Sequence, residues 1–193
     1  MLLPEPARTA RAFDPLAFAR RIKPRPRIAV VNGHPDPRPE RYCAALCRAY
    51  AAGAAEAGLE TRLADLRPFA DGASETDQAA QDAFAALDWA NQITVVFPLW
   101  LDGPPEPLRR LFASWSRRAR GEIAPRPRKA HCVVTMAMPA FAYRALSRRA
   151  GARLSLDGVP SPSLTFVGSV EAISAGQREA WLQTLRGYGG RAA

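Results

Sequence analysis

The chain has 193 residues, a length that suits one domain with a sizeable core, and 48% of it is hydrophobic, as in ordinary globular proteins. No apolar run approaches the ~18–20 residues that a membrane span needs, and Pro4, Glu5 and Arg8 break Met1-Leu2-Leu3 before a secretory core can form. The formal charge of +9 permits nucleic-acid or phosphate binding, but no nucleic-acid reader motif accompanies it.

These features give the expectation of a cytoplasmic protein with no membrane span and no nucleic-acid partner. The basic residues are almost all arginine, dense at Arg109-Arg110, Arg117-Arg118, Arg126 to Lys129 and Arg144 to Arg153. They read either as a solvated surface or as a rim that draws in a phosphorylated ligand. Cys43 and Cys47 stand four apart on a helix-patterned segment, with Cβ atoms about 5–6 Å apart, too far for an easy disulfide. No further Cys or His near them completes a metal set. All three cysteines, Cys132 included, read as small buried residues.

Residues 1–24 form an N-terminal arm, apolar at Phe13, Leu16, Phe18 and Ile22 but interrupted by four prolines. Residues 25–193 form the domain. Its first strand is Arg27 to Val31, followed by the loop Asn32 to Glu40. A helix is expected from about Arg41 to Ala57, with Gly58 as its C′ residue. Leu59 to Leu66 alternates as a second strand, with Leu59, Thr61, Leu63 and Asp65 on one side. Ser74 or Thr76 is placed to cap a helix running to about Leu87.

Ile93 to Phe97 is a β-branched run, the mark of a buried strand. It leads into Pro98-Leu99-Trp100 and Gly103, a rigid turn carrying an exposed indole, and then into a helix from about Pro105 to Arg118. His131 to Thr135 reads as a fourth strand, and Phe141 to Arg149 as a short helix. Leu164 to Val167 reads as a fifth strand. Ser174 and Gln177 form a capping box for a last helix to about Arg186, and Gly187-Tyr188-Gly189-Gly190 is expected to fray.

Five alternations of strand and helix imply an α/β fold with a parallel sheet, helices on both faces and right-handed crossovers. In a doubly wound five-stranded sheet of order 2-1-3-4-5, the loops after strands one, three and four converge on one crevice. Those loops are His34 to Tyr42, Pro98 to Gly103 and Met136 to Tyr143. No Ser-His-Asp order, paired-carboxylate site, P-loop or zinc spacing is present, which argues against a hydrolase.

Three motifs carry a resemblance. They are Val31-Asn32-Gly33-His34-Pro35 after strand one, and Phe97-Pro98-Leu99-Trp100 with Gly103, Pro105 and Leu108-Arg109 after strand three. The third is Thr135-Met136-Ala137-Met138-Pro139 with Tyr143 after strand four. Over about residues 27 to 186 the chain resembles the flavodoxin-like NAD(P)H dehydrogenase (quinone) family, which includes quinone reductases and the ancillary oxidoreductases of potassium-efflux systems.

The resemblance implies a non-covalent flavin, FMN or FAD, and hydride transfer from NAD(P)H through it to a quinone or similar acceptor. It also implies a homodimer with active sites at the interface. By position, His34, Arg41 and Tyr42 would lie by the flavin phosphate, and Pro98, Leu99, Trp100 and Leu101 would line the isoalloxazine. Thr135, Met136, Ala137 and Met138 would hold its other edge. Tyr143 would stand near the nicotinamide or quinone face, with Tyr143 and His34 as the candidate catalytic residues.

Each also has a structural reading. Trp100 would serve as a core or interface aromatic, His34 as a residue bonded to its own loop, Tyr143 as packing, and His131 as a structural residue far from the crevice. In the first loop Pro35, Pro37 and Pro39 each remove an N–H, and Arg38 or Arg41 is expected to compensate by charge-assisted bonds. The same prolines, with Ala137 where the family has Gly, motivate an alternative. This is a flavodoxin-like protein with weak or lost flavin binding, acting as a regulatory or partner-binding subunit.

Overall fold

A computed structural model describes residues 25–36, 38–66, 69, 75–100, 103–118, 127, 129–150, 154–159 and 161–192. The arm at 1–24 and the residues Leu101 and Asp102 lie outside them. The elements are β1 (Arg27–Asn32), α1 (Tyr42–Glu56), β2 (Glu60–Asp65), α2 (Gln78–Trp89) and β3 (Gln92–Pro98). There follow α3 (Glu106–Arg118), β4 (Lys129–Thr135), α4 (Ala140–Ala150), β5 (Ser163–Val167) and α5 (Ala175–Gly190). The five strands are all parallel, as the alternation predicts, and lie in the order β2-β1-β3-β4-β5 expected of the doubly wound fold.

The strand period of two divides the core. Ile28 and Val30 of β1, Val96 of β3 and Val133 of β4 face Cys47, Tyr50 and Leu185 of α1 and α5. The intervening residues Ala29, Val31, Val95 and Val134 face Phe84 and Leu87 of α2 and Leu111 and Phe112 of α3. β3 is central, and its residues from Gln92 to Phe97 are buried on both sides. Cys43, Cys47 and Cys132 are buried free thiols.

Three expectations need refinement or correction. Leu59 and Leu63 share the α1 side of β2, but only Leu59 is covered; Leu63 is exposed, because β2 is an edge strand. The burial of that segment falls instead to Ala64 and Leu66 on the α2 side. The N-cap of α2 is Asp77, not Ser74 or Thr76, and it supplies no side-chain cap. α2 also continues to Trp89, whose ring lies under the guanidinium groups of Arg27 and Arg62 at 5.6 and 4.3 Å.

The third correction concerns the last helix. Ser174 caps α5 through the expected box with Gln177, but the helix runs on to Gly190 instead of fraying. A Cβ at Gly189 would lie 2.0 Å from the Tyr50 carbonyl oxygen, and one at Gly53 would lie 1.9 Å from that of Arg186. The two glycines let α1 and α5 touch backbone to backbone, and that packing offsets the poor helix propensity of glycine. Glu56 of α1 accepts from Arg186 of α5 beside the contact.

Candidate functional site

Every strand of a parallel sheet ends on the same edge, and this edge carries the site. At the end of β1 the Gly33 N–H donates to the Val96 carbonyl at 2.7 Å, which ties the first loop to β3. The His34 N–H donates to Asn32 Oδ1 at 3.3 Å. His34 Nδ1 stands 3.0 Å from both the backbone N and O of Asp36. The ring is therefore fixed by its own loop. Burial pushes its pKa below the ordinary value, and the Arg41 charge acts the same way, so the imidazole is held neutral.

The Asp36 carboxylate gathers the cations of this loop. It accepts from Arg38 N, Nε and Nη2 at 3.2, 2.9 and 2.7 Å, and from Arg41 Nε at 2.7 Å, with Arg41 Nη2 closer still. These donors hold its pKa well below the usual carboxylate range. Arg41 is the N-cap position of α1; its side chain provides no cap, and no acidic residue stands in the first turn. A helix start without a capping acceptor leaves N–H groups and positive dipole for an anion.

The second wall is the β3 turn. Leu99 N–H donates to the Thr135 carbonyl at 2.8 Å, and Trp100 and Gly103 exchange backbone bonds at 3.1 Å. Gly103 closes this turn at φ 110°, a conformation that favours glycine. Leu99 packs on the core, while Trp100 remains 49% exposed, so it is not a core aromatic.

The third wall follows β4. Thr135 is buried; its Oγ1 donates to the Phe97 carbonyl at 3.4 Å and lies 3.5 Å from Cys43 Sγ. Burial pushes the Cys43 thiol up to about 11, so it is a neutral packing group. Met136 N–H donates to the Val167 carbonyl at 3.0 Å.

These walls enclose a cavity of about 580 Å³, within the range of small-molecule sites. From the predicted site residues the first loop contributes His34, Arg41 and Tyr42. The second contributes Pro98, Leu99 and Trp100, and the third Thr135, Met136 and Ala137. Met138 and Tyr143 are not part of the described lining. Met138 is a surface residue whose carbonyl accepts from Ser169 N–H, and the Tyr143 ring packs on Phe166 at 5.2 Å. Leu101 lies outside the described residues.

Sequence reasoning missed the fourth wall. Val170 and Glu171 follow β5, and Arg178 reaches in from α5. Arg178 Nη2 donates to the Val170 carbonyl at 2.6 Å. The signal was available, because the rule that places a crevice beyond the carboxyl ends of strands applies to β5 as well. His131 sits away from this edge. Its ring lies 5.4 Å from that of Tyr188, and its Nε2 lies 2.9 Å from Thr165 Oγ1.

The residues suit a flat aromatic ligand with an anionic end. Trp100 and Leu99 offer an apolar face, the start of α1 offers unfilled N–H capacity, and Arg41 and Arg178 supply positive charge beside the carboxylates of Glu40 and Glu171. Among the described residues no group of three or more His, Cys, Asp or Glu is placed to hold a metal ion, and no helix is long and apolar enough to cross a membrane.

A family model described as a flavodoxin-like fold matches residues 26–156. Among solved structures, the chain is similar to an NAD(P)H:quinone oxidoreductase from Methanothermobacter marburgensis. The identity is 16% and the TM-score 0.64, over 86% of this chain and 96% of that one. It is also similar to an FMN-dependent NADH-azoreductase from Bacillus anthracis in complex with FMN. There the identity is 9% and the TM-score 0.54, over 87% of this chain and 99% of that one. Likeness at these identities bears on the fold. No curated protein sequence matches the chain.

Proposed function

Because the chain belongs to the flavodoxin-like fold family, we propose that it is a flavin-dependent oxidoreductase acting between NAD(P)H and a quinone or similar small acceptor. One observation carries the reading: the uncapped start of α1 and the half-exposed Trp100 face one cavity of about 580 Å³. The first suits the phosphate end of FMN or FAD, and the second suits its ring. The likeness to an FMN-bound azoreductase and to a quinone oxidoreductase supports the same class.

A bound flavin would supply the redox chemistry, taking a hydride from the nicotinamide and delivering two electrons, with protons, to the acceptor. The chain's own contribution is placement. N–H groups of the first turn of α1 and the Arg41 guanidinium would hold the phosphate. Pro98, Leu99 and Trp100 would shield the ring from water, and Thr135 to Ala137 would border it. Phe141 and Leu146 are exposed apolar residues on α4, near the exposed Met138. They support a second copy of the chain as the partner, which would give a homodimer.

The alternative reading, a flavodoxin-like regulatory subunit with weak flavin binding, is favoured by one observation: Asp36 already engages Arg38 and Arg41. The visible spectrum of the purified protein decides between the two. Flavin bands that bleach with NADPH and return with a quinone establish the oxidoreductase. A protein that stays colourless after incubation with FMN and FAD supports the subunit.

A further inference from the structure

The first loop carries two acids: Glu40 lines the cavity, while Asp36 stands just behind the lining and reaches it through Arg41, where the proposed function calls for an anion from outside. The Asp36 carboxylate accepts from both guanidinium groups of the loop and from the Arg38 amide. Carboxylate and phosphate oxygens compete for the same forked donors. Elsewhere in the cradle, α1 begins without a side-chain cap and without an acid in its first turn. The anion demand of the helix start is therefore open, while that of the two arginines is already met.

We propose that Asp36 is a built-in counter-anion of the cradle, occupying Arg38 and Arg41 until a phosphate monoester displaces it. The inference rests on the flavin reading only for the identity of that monoester. Displacement needs little rearrangement. The Asp36 side chain is about a quarter exposed, and those of Arg38 and Arg41 are about two-thirds and two-fifths exposed. Ion pairs this close to water are weak and easily exchanged. The loop backbone is tied in place by the His34 ring, whose Nδ1 meets the Asp36 backbone, and by the fixed φ of Pro35. A dianionic phosphate, with more charge and more acceptor oxygens than one carboxylate, wins the arginines. A neutral hydroxyl end does not.

Two consequences follow. The affinity for phosphate is lower than the arginines alone would give. The cradle also discriminates, since only an anion able to replace Asp36 gains the two guanidinium groups.

The test is calorimetric titration with inorganic phosphate on the full chain, as wild type, Asp36→Asn and Asp36→Ala, with folding checked by circular dichroism. The neutral variants should bind phosphate about tenfold more tightly, equivalent to about 1.4 kcal/mol. Adding Arg41→Ala to Asp36→Asn should abolish the gain. Unchanged or weaker phosphate binding in both neutral variants would overturn the proposal and make Asp36 an organiser of the arginines. Parallel titrations with FMN and riboflavin separate this inference from the functional reading. Tighter phosphate binding with no uptake of either flavin upholds the counter-anion and sinks the flavin reading. FMN uptake by the wild type with phosphate affinity unaffected by Asp36→Asn does the reverse.

Discussion

Tyr42 and Arg178 hold each other twice. The Tyr42 hydroxyl donates to the Arg178 carbonyl at 3.1 Å, and the Arg178 guanidinium lies 5.0 Å from the centre of the Tyr42 ring. The same guanidinium donates to the Val170 carbonyl. One arginine thus joins the start of α1, the loop after β5 and the first turns of α5. Arg178→Ala should cost about 1–2 kcal/mol of stability, from a lost cation–π contact and a charged hydrogen bond. Urea unfolding measures the loss, and an unchanged midpoint would show that the three elements are held by other contacts.

Trp100 is a separable case, because its exposure makes it a poor stabiliser. Trp100→Ala should leave the unfolding free energy within about 0.5 kcal/mol of wild type. It should weaken FMN binding about tenfold, or about 1.4 kcal/mol. Flavin fluorescence titration reads the second quantity. A loss of stability with unchanged FMN affinity would make the indole an interface residue.

Arg41 should matter to the phosphate end alone. Arg41→Ala is expected to weaken FMN binding several-fold while leaving riboflavin binding as it was, which comparative titration with the two flavins reports. Equal loss for both would place Arg41 beside the ring.

The backbone contact between α1 and α5 predicts a sharp contrast between two glycines of one helix. A Cβ at Gly189 meets Tyr50 O at 2.0 Å and Ala54 N at 2.8 Å, whereas one at Gly176 meets only Ser174 Oγ at 4.0 Å. Gly189→Ala should therefore cost about 3 kcal/mol as the helices are forced apart, and Gly176→Ala should cost nothing measurable. Denaturant titration of the pair checks this, and equal midpoints would refute the contact.

Acid should destabilise the fold from mild pH downward. His34 and His131 are both lowered from 6.5, chiefly by burial. The folded state therefore binds fewer protons than the unfolded one as pH falls through this region, and stability rises with pH there. Their contribution is fully present above about 6.5 and is lost as pH drops from there through the folded-state values. Asp36, held low by Arg38 and Arg41, adds its loss only in stronger acid, below its ordinary value of 3.8. Urea midpoints between pH 8 and 5 should fall, and replacing both histidines with asparagine should flatten the slope.

The sequence was most legible where period and topology speak together. Ile28 to Val31 and Ile93 to Phe97 read as buried strands, and the alternation of elements made the sheet parallel, while the strand order followed from the doubly wound arrangement. Nine of the predicted contact residues share the cavity because each closes or follows a strand. What escaped depends on distance in space. Arg178 enters from a helix 136 residues beyond Tyr42, and no local pattern announces that. Gly187 to Gly190 look like a frayed end until Tyr50 is placed against them. Pairing of Arg38 and Arg41 with Asp36 needed a loop shape that three prolines make hard to infer from propensity.

The Tyr42–Arg178 bond and the glycine contact join the first helix of the described fold to the last. The first and fourth walls of the cavity, which meet at Tyr42 and Arg178, therefore come from segments 136 residues apart. Contacts of such long range carry a loop-closure cost that local contacts do not, and chains rich in them fold more slowly. During synthesis the ribosome releases β1, α1 and the Trp100 turn well before α5 exists to receive them. A nascent chain thus presents this cleft without its fourth wall until α5 docks on α1.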